Sequence, residues 1–347
     1  MTTSRPVLAA FLTAALTFGA LLGAVAPAPA AEYEFTLQSF LPAQSTVPAK
    51  IIDVWADRIE RESGGRIRIT RYPSMQLGGK PPELLDQVAD GVIDMTWTVV
   101  GYTPGRFPST EVFELPFMAD DAGVASGAFW KMLEGGIAAR EFSEFKVLGG
   151  WVHGPGVIHS DRPVRVPADL QGMKIRGASR LVNALLKELG ATPVGMPVPA
   201  VPEALSRGVI DGTTIPWEVT PSLKIADLVH NHTEFTGPML YTVTFVLVMN
   251  KERYAALPDD LKQVIDRNSG LEFSVFAGTT QEAYDAPARE IALKAGNNII
   301  TLDSAQSALW ARAAAPVRTA WIAQMKARGI DGQALIAQAR ALMAAGN

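Results

Sequence analysis

Leu84-Leu85-Asp86-Gln87-Val88-Ala89-Asp90-Gly91-Val92-Ile93-Asp94-Met95-Thr96-Trp97-Thr98-Val99-Val100 reads as the end of a helix, a turn and an apolar strand in succession. The helix begins near Pro82 and runs to Asp90, Gly91 to Asp94 turn the chain, and Met95 to Val100 extend. Upstream, Glu32 to Ser39 alternates Tyr33, Phe35 and Leu37 with Glu34, Thr36 and Gln38, the pattern of a half-buried strand. Val47, Ile51, Ile52, Trp55 and Ile59 then recur at helical spacing until Gly64-Gly65 stops them. Arg66 to Thr70 alternates again and ends at Tyr72-Pro73. The rhythm is β-α-β-α-β, that of a parallel sheet with helices on its faces.

The same rhythm returns downstream. Met173 to Arg176 predicts a strand, Arg180 to Leu189 a helix, Thr192 to Met196 a strand and Pro199 to Ser206 a helix. Gly208-Val209-Ile210-Asp211 then repeats the earlier Gly-Val-Ile-Asp turn, and Gly212 to Trp217 extends. A four-residue repeat in shared helix-to-strand context predicts two α/β lobes; the alternative is one large domain with a coincidental repeat. In such sheets ligands sit beyond the carboxyl ends of the strands, here near Gly101-Tyr102-Thr103-Pro104 and Glu218-Val219-Thr220-Pro221. Two segments bridge the halves. Pro238 to Asn250 predicts a long buried strand, and a helical pattern from Pro258 to about Ala295 predicts a shared strut. Ser304 to Ala345 predicts packing helices.

The N-terminus reads as an address. Arg5 precedes an apolar run, Val7 to Val25, that exits through Ala26-Pro27-Ala28-Pro29-Ala30-Ala31. That predicts a secretory signal over residues 1–31, cut after Ala30 or Ala31, and no stable membrane insertion afterwards. The chain of 347 residues carries no cysteine, which excludes a disulfide, a lipid anchor on Cys and a thiolate site. Its net charge of −4, with both signs mixed, gives no nucleic-acid surface.

The search for catalysis is negative. His153, His159, His230 and His232 show no metal-ligand spacing, and His230-x-His232 reads as a solvated pair near a helix end. No nucleophile elbow, P-loop or dinucleotide fingerprint is present, and the Gly-Gly pairs at Gly78, Gly135 and Gly149 fit turns. No enzyme activity, cofactor or metal is expected. One cation stands out. Arg176 closes a predicted strand before a Gly-Ala-Ser turn, where a guanidinium offers paired donors to a carboxylate. From spacing alone a surface or interlobe ion pair is the commoner reading of such an arginine. Trp97, Tyr102, Trp151, Trp217 and Phe245 fall near strand ends, as core or as the walls of an apolar pocket.

Several longer strings carry a family resemblance. They are G-G-R-I-R-I-T-R-Y-P-S-M-Q-L-G-G from Gly64, L-L-D-Q-V-A-D-G-V-I-D-M-T from Leu84, and V-F-E-L-P-F from Val112. D-L-Q-G-M-K-I-R from Asp169, A-L-S-R-G-V-I-D-G from Ala204 and V-M-N-K-E-R-Y-A-A-L-P from Val248 complete the set. The chain resembles the periplasmic solute-binding proteins of TRAP transporters, the DctP family. The resemblance implies a type II-like Venus-flytrap of two lobes with crossing strands and a long lobe-spanning helix. Lobe I would be 32–152 plus about 243–280, and lobe II about 153–242 plus 281–347. It implies a periplasmic location, an organic-acid ligand, and membrane permease partners, one small and one large. It also implies that Arg176 pairs with the ligand carboxylate. Where sialic-acid binders carry polar residues, this chain has Phe40, Val99 and Ile215, and a second arginine of the family is replaced by Gly156. The expected ligand is therefore a monocarboxylate with an apolar or aromatic body, or a 2-oxo or 2-hydroxy acid. The expected site is Arg176, Phe40, Trp97, Val99, Tyr102, His153, Ile215 and Trp217, with His153 a donor to a keto or hydroxyl oxygen or a turn histidine only. Rival readings are a C4-dicarboxylate, a receptor for another importer class, and a secreted enzyme.

Overall fold

A computed structural model describes residues 31–346; the signal expected over residues 1–31 lies, but for Ala31, outside them. Among the described residues eleven strands form two sheets. In chain order they are β1 (Tyr33–Gln38), β2 (Ile67–Tyr72), β3 (Met95–Val99), β4 (Phe145–Val152), β5 (Val157–Ser160) and β6 (Lys174–Gly177). There follow β7 (Thr192–Gly195), β8 (Gly212–Ile215), β9 (Asn231–Phe235), β10 (Thr244–Asn250) and β11 (Asn298–Leu302). The first sheet has the order β2-β1-β3-β10-β4 and the second β11-β9-β5-β8-β6-β7. The molecule is a two-lobed α/β protein, one sheet to a lobe.

The halves are built alike. β1 lies parallel between β2 and β3, and β6 lies parallel between β7 and β8. Each core is flanked by an antiparallel strand, β10 beside β3 and β5 beside β8. The repeated tetrapeptide does the same work twice. Gly91 and Gly208 take φ of 70° and 65°, a left-handed turn that glycine adopts without strain. Ile93 and Ile210 are buried, while Val92 and Val209 face solvent. Asp94 then accepts the Thr36 amide of β1 at 2.8 Å, and Asp211 accepts the Lys174 amide of β6 at 2.7 Å.

The structure differs from the sequence expectations at four elements, each for a local reason. Within 238–250 only Thr244–Asn250 is a strand. Before it the backbone bonds irregular partners: the Met239 amide donates to Ala119, and the Gly156 amide to the Tyr241 carbonyl. The strut expected over 258–295 is three helices, Asp259–Arg267, Gly270–Ala283 and Asp285–Lys294. Asn268 turns its amide back on the Val264 carbonyl at the first break. The second falls at Tyr284 because the ring of Pro287 conflicts with the carbonyl four residues earlier, at Ala283. Gly149-Gly150 is no turn but the middle of β4. A Cβ at Gly149 would lie 2.4 Å from Phe273, and one at Gly150 2.4 Å from Leu133, so the pair lets helices pack close on both faces.

The chain passes between sheets at 153–156, at 236–243 and through the helices after β10. Gly270–Ala283 packs on β4, and Asp285–Lys294 on the turn after β8. The helix Ser304–Ala327 then leaves β11 and returns to the first lobe. Its Trp310 packs on Phe235 of β9 and its Trp321 donates to Glu111 at 2.9 Å. The last helix, Gly332–Ala345, packs on Ala122–Met132 of the first lobe, the fourth difference, since the expected boundaries put it with the second. A helix of 24 residues spans roughly 36 Å, enough to carry the chain across.

Candidate ligand-binding site

Arg176 sits one residue before the end of β6, paired with Val194 of β7 and Thr213 of β8. It is 1% exposed. Nε donates to the Met196 carbonyl at 2.8 Å and Nη1 to the Thr214 carbonyl at 3.1 Å. Nη2 is buried with no hydrogen-bond partner among the described residues. Arg176 therefore stands braced by backbone and not in an ion pair between lobes.

Arg176 lines a cavity between the lobes. Phe40, Trp97, Val99 and Phe245 line it from the first lobe, and Val198, Ile215 and Val219 from the second. Phe40 lies against Trp97 at 4.5 Å between ring centroids and edge-on to Tyr102 at 5.6 Å. Burying each large aromatic removes about 150–250 Å² from water, on the order of 4–6 kcal/mol at most. The walls are thus rigid core residues put to a second use.

The cleft is closed by contacts that cross it. The Val198 amide donates to the Tyr102 hydroxyl at 2.9 Å. Ser179, which caps the helix after β6, donates to Glu114, and Arg180 pairs with Glu111. Burial pushes the Glu114 carboxyl up to about 7, against the opposing bond from Ser179.

Seven of the eight expected residues meet at this cavity: Arg176, Phe40, Trp97, Val99, Tyr102, His153 and Ile215. His153 contributes a wall and no donor. Its Nδ1 faces the Gly154 carbonyl, and its Nε2 accepts the Val243 amide at 3.2 Å, so both nitrogens are taken. Burial holds it neutral, with a pKa of about 4. It ties together the two segments that cross between the lobes.

Trp217 is the residue that does not join them. β8 ends at Ile215 because Pro216 has no amide to continue the ladder. Trp217 then opens a 3₁₀ turn and packs 4.9 Å from the rings of both His159 and His232. Its indole donates to Glu234 at 3.2 Å. His232 is correspondingly not solvated but fully buried in β9, 2.7 Å from His159 through their Nδ1 atoms.

Among the polar lining residues, Tyr241 and Gln281 escaped the sequence reading, and Glu218, weighed there only as a residue of a metal-assisted site, lines the cavity too. Tyr241 is 1% exposed and its hydroxyl has no partner among the described residues. Glu218 accepts Gln281 Nε2 at 2.6 Å, and its amide donates to Asp285 at 2.7 Å. Gln281 in turn accepts the Trp151 indole at 2.9 Å, linking the lobes. Burial raises Glu218 to about 7; burial and then the charge of Glu218 raise Asp285 to about 8. The signal for Tyr241 was Gly156, a missing side chain whose space something else had to fill.

Two α/β lobes around a closed, mostly apolar cavity with one buried cation define a solute-binding protein. The chain belongs to the DctP family, bacterial extracellular solute-binding protein family 7, which it matches over residues 38–324, and is a TRAP solute-binding protein. A TRAP solute-binding protein from Rhodoferax ferrireducens, solved with copurified benzoate, is 48% identical with a TM-score of 0.89, over 90% of this chain and 98% of that one. One from a marine metagenome, described as specific for aromatic acid ligands and solved with 3-hydroxybenzoate, is 44% identical with a TM-score of 0.89, over 92% and 100%. One from Bordetella bronchiseptica, with (R)- and (S)-mandelate bound, is 32% identical with a TM-score of 0.83, over 90% and 99%. Among the described residues no helix is long and apolar enough to cross a membrane.

Proposed function

We propose that this chain is the periplasmic receptor of a TRAP-type secondary importer and that it captures an aromatic monocarboxylate paired with Arg176. One observation carries the reading: a buried guanidinium with Nη2 unpartnered, at the edge of a cavity otherwise walled by aromatic and aliphatic side chains. A desolvated cation without an anion is costly, and a ligand carboxylate supplies the missing charge. A sugar acid fits poorly, because each buried hydroxyl left unpaired costs about 1–3 kcal/mol, and Phe40, Val99 and Ile215 offer no partner. A second carboxylate finds no second cation in the lining and meets Glu218. The aromatic acids bound by the three related structures agree with this choice.

In this reading the lobes hinge at 153–156, at 236–243 and near Tyr284, and the ligand stabilises the closed form by its greater affinity for it. The signal-like leader and the family support delivery from the periplasm to a small and a large membrane subunit.

Thermal unfolding of the purified protein with benzoate, 3-hydroxybenzoate, mandelate, succinate and sialate tests the reading. An aromatic acid at a hundred times its Kd stabilises by about 2.7 kcal/mol and raises Tm by several degrees, while succinate and sialate leave it unchanged. A larger shift with succinate or sialate, or none with any aromatic acid, overturns it.

A further inference from the structure

We infer that Tyr241, seated in the space Gly156 leaves open, donates its hydroxyl proton to the second oxygen of the ligand carboxylate and so fits the site to monoanions. This rests on the carboxylate reading above and deepens it. A carboxylate presents two oxygens, both acceptors. Arg176 has committed Nε and one Nη1 hydrogen to the Met196 and Thr214 carbonyls, and only Nη2 is wholly free. The second oxygen therefore needs another donor. Tyr241 lines the same cavity, and its buried hydroxyl has no partner among the described residues.

The ring is held in place before any ligand arrives. The Gly156 amide donates to the Tyr241 carbonyl at 3.1 Å. The ring stands edge-on to His153 at 5.6 Å and 89°, and His153 is itself tied to both crossing segments. Such preorganisation lowers the ordering cost of binding. Burial also raises the phenol pKa, so it remains a donor at neutral pH.

Gly156 is there for space and not for backbone freedom, since it lies outside the positive-φ residues. A Cβ on it would fall 2.1 Å from Cε1, 2.5 Å from Cδ1 and 2.6 Å from Cζ of Tyr241. Any side chain at 156 and the present position of the Tyr241 ring exclude each other. A basic residue at 156 would add a charge for a second anionic group; the phenol adds a donor with none.

The test is calorimetry on the mature full-length chain with benzoate, phenylacetate and 3-hydroxybenzoate. Tyr241→Phe should weaken all three by a similar factor, about ten- to hundred-fold. Gly156→Ala should cost at least as much, and the double variant should lie within about two-fold of Gly156→Ala, because the ring is already displaced. Benzoate affinity within two-fold of wild type for Tyr241→Phe overturns the inference alone. So does a loss confined to 3-hydroxybenzoate, which would aim the hydroxyl at a ring substituent. A wild type that binds none of the three acids removes the functional reading, and this inference with it.

Discussion

Arg176 shows how much one residue's position decides. It was legible in the sequence because a strand of Met173, Lys174 and Ile175 places it at the end facing the cleft. Its bracing by two carbonyls was not legible, since Met196 and Thr214 are distant in sequence. Replacing it with Ala should weaken benzoate binding by about 2 kcal/mol or more, roughly thirty-fold, the order of cost for leaving a buried charge unpaired. Calorimetry measures this directly, and unchanged affinity would take the arginine out of the account. Trp217 and His153 mark the limit of residue-level reading. Strand alternation aimed Trp217 at the cavity, but Pro216 ended the ladder first. His153 had a donor's chemistry, but backbone groups had already claimed both nitrogens.

At the scale of elements, β-α-β-α-β was legible twice because hydrophobic period and turn residues agreed with the final structure. Failures came where tertiary contacts outweighed local pattern. Residues 238–243 have the composition of a strand, yet their hydrogen bonds go to Phe117–Ala119 and to the 153–156 crossing. The break near Tyr284 could have been read from Pro287, whose ring conflicts with the helix carbonyl four residues back. The Gly149-Gly150 pair needed the partners: only the approach of Phe273 and Leu133 separates a mid-strand glycine pair from a turn. Tyr241 was hidden for the same reason, as it lies in the misread segment and its role depends on Gly156.

For the molecule as a whole, two buried carboxyls, Glu114 and Glu218, and the half-buried Asp285 lie where the lobes meet. Burial raises them to about 7, about 7 and about 8, well above the ordinary values near 4 of an unfolded chain. A raised carboxyl binds its proton more tightly in the folded state. Its stabilising contribution is complete below the unfolded value and is lost as pH rises through the folded one. Tm should therefore fall on the order of several degrees between pH 6 and pH 9, and Glu218→Gln should flatten that slope. A Tm constant over the range, or rising, would mean these groups ionise without strain.

The central claim is that one guanidinium grips an aromatic acid by its carboxylate inside the closed cleft. The electron density of a benzoate complex tests it most directly. The account predicts the carboxylate within hydrogen-bond distance of Arg176 Nη2, with the ring between Phe40, Trp97 and Ile215. Benzoate seated with its carboxylate turned away from Arg176, or bound outside this cavity, would contradict it.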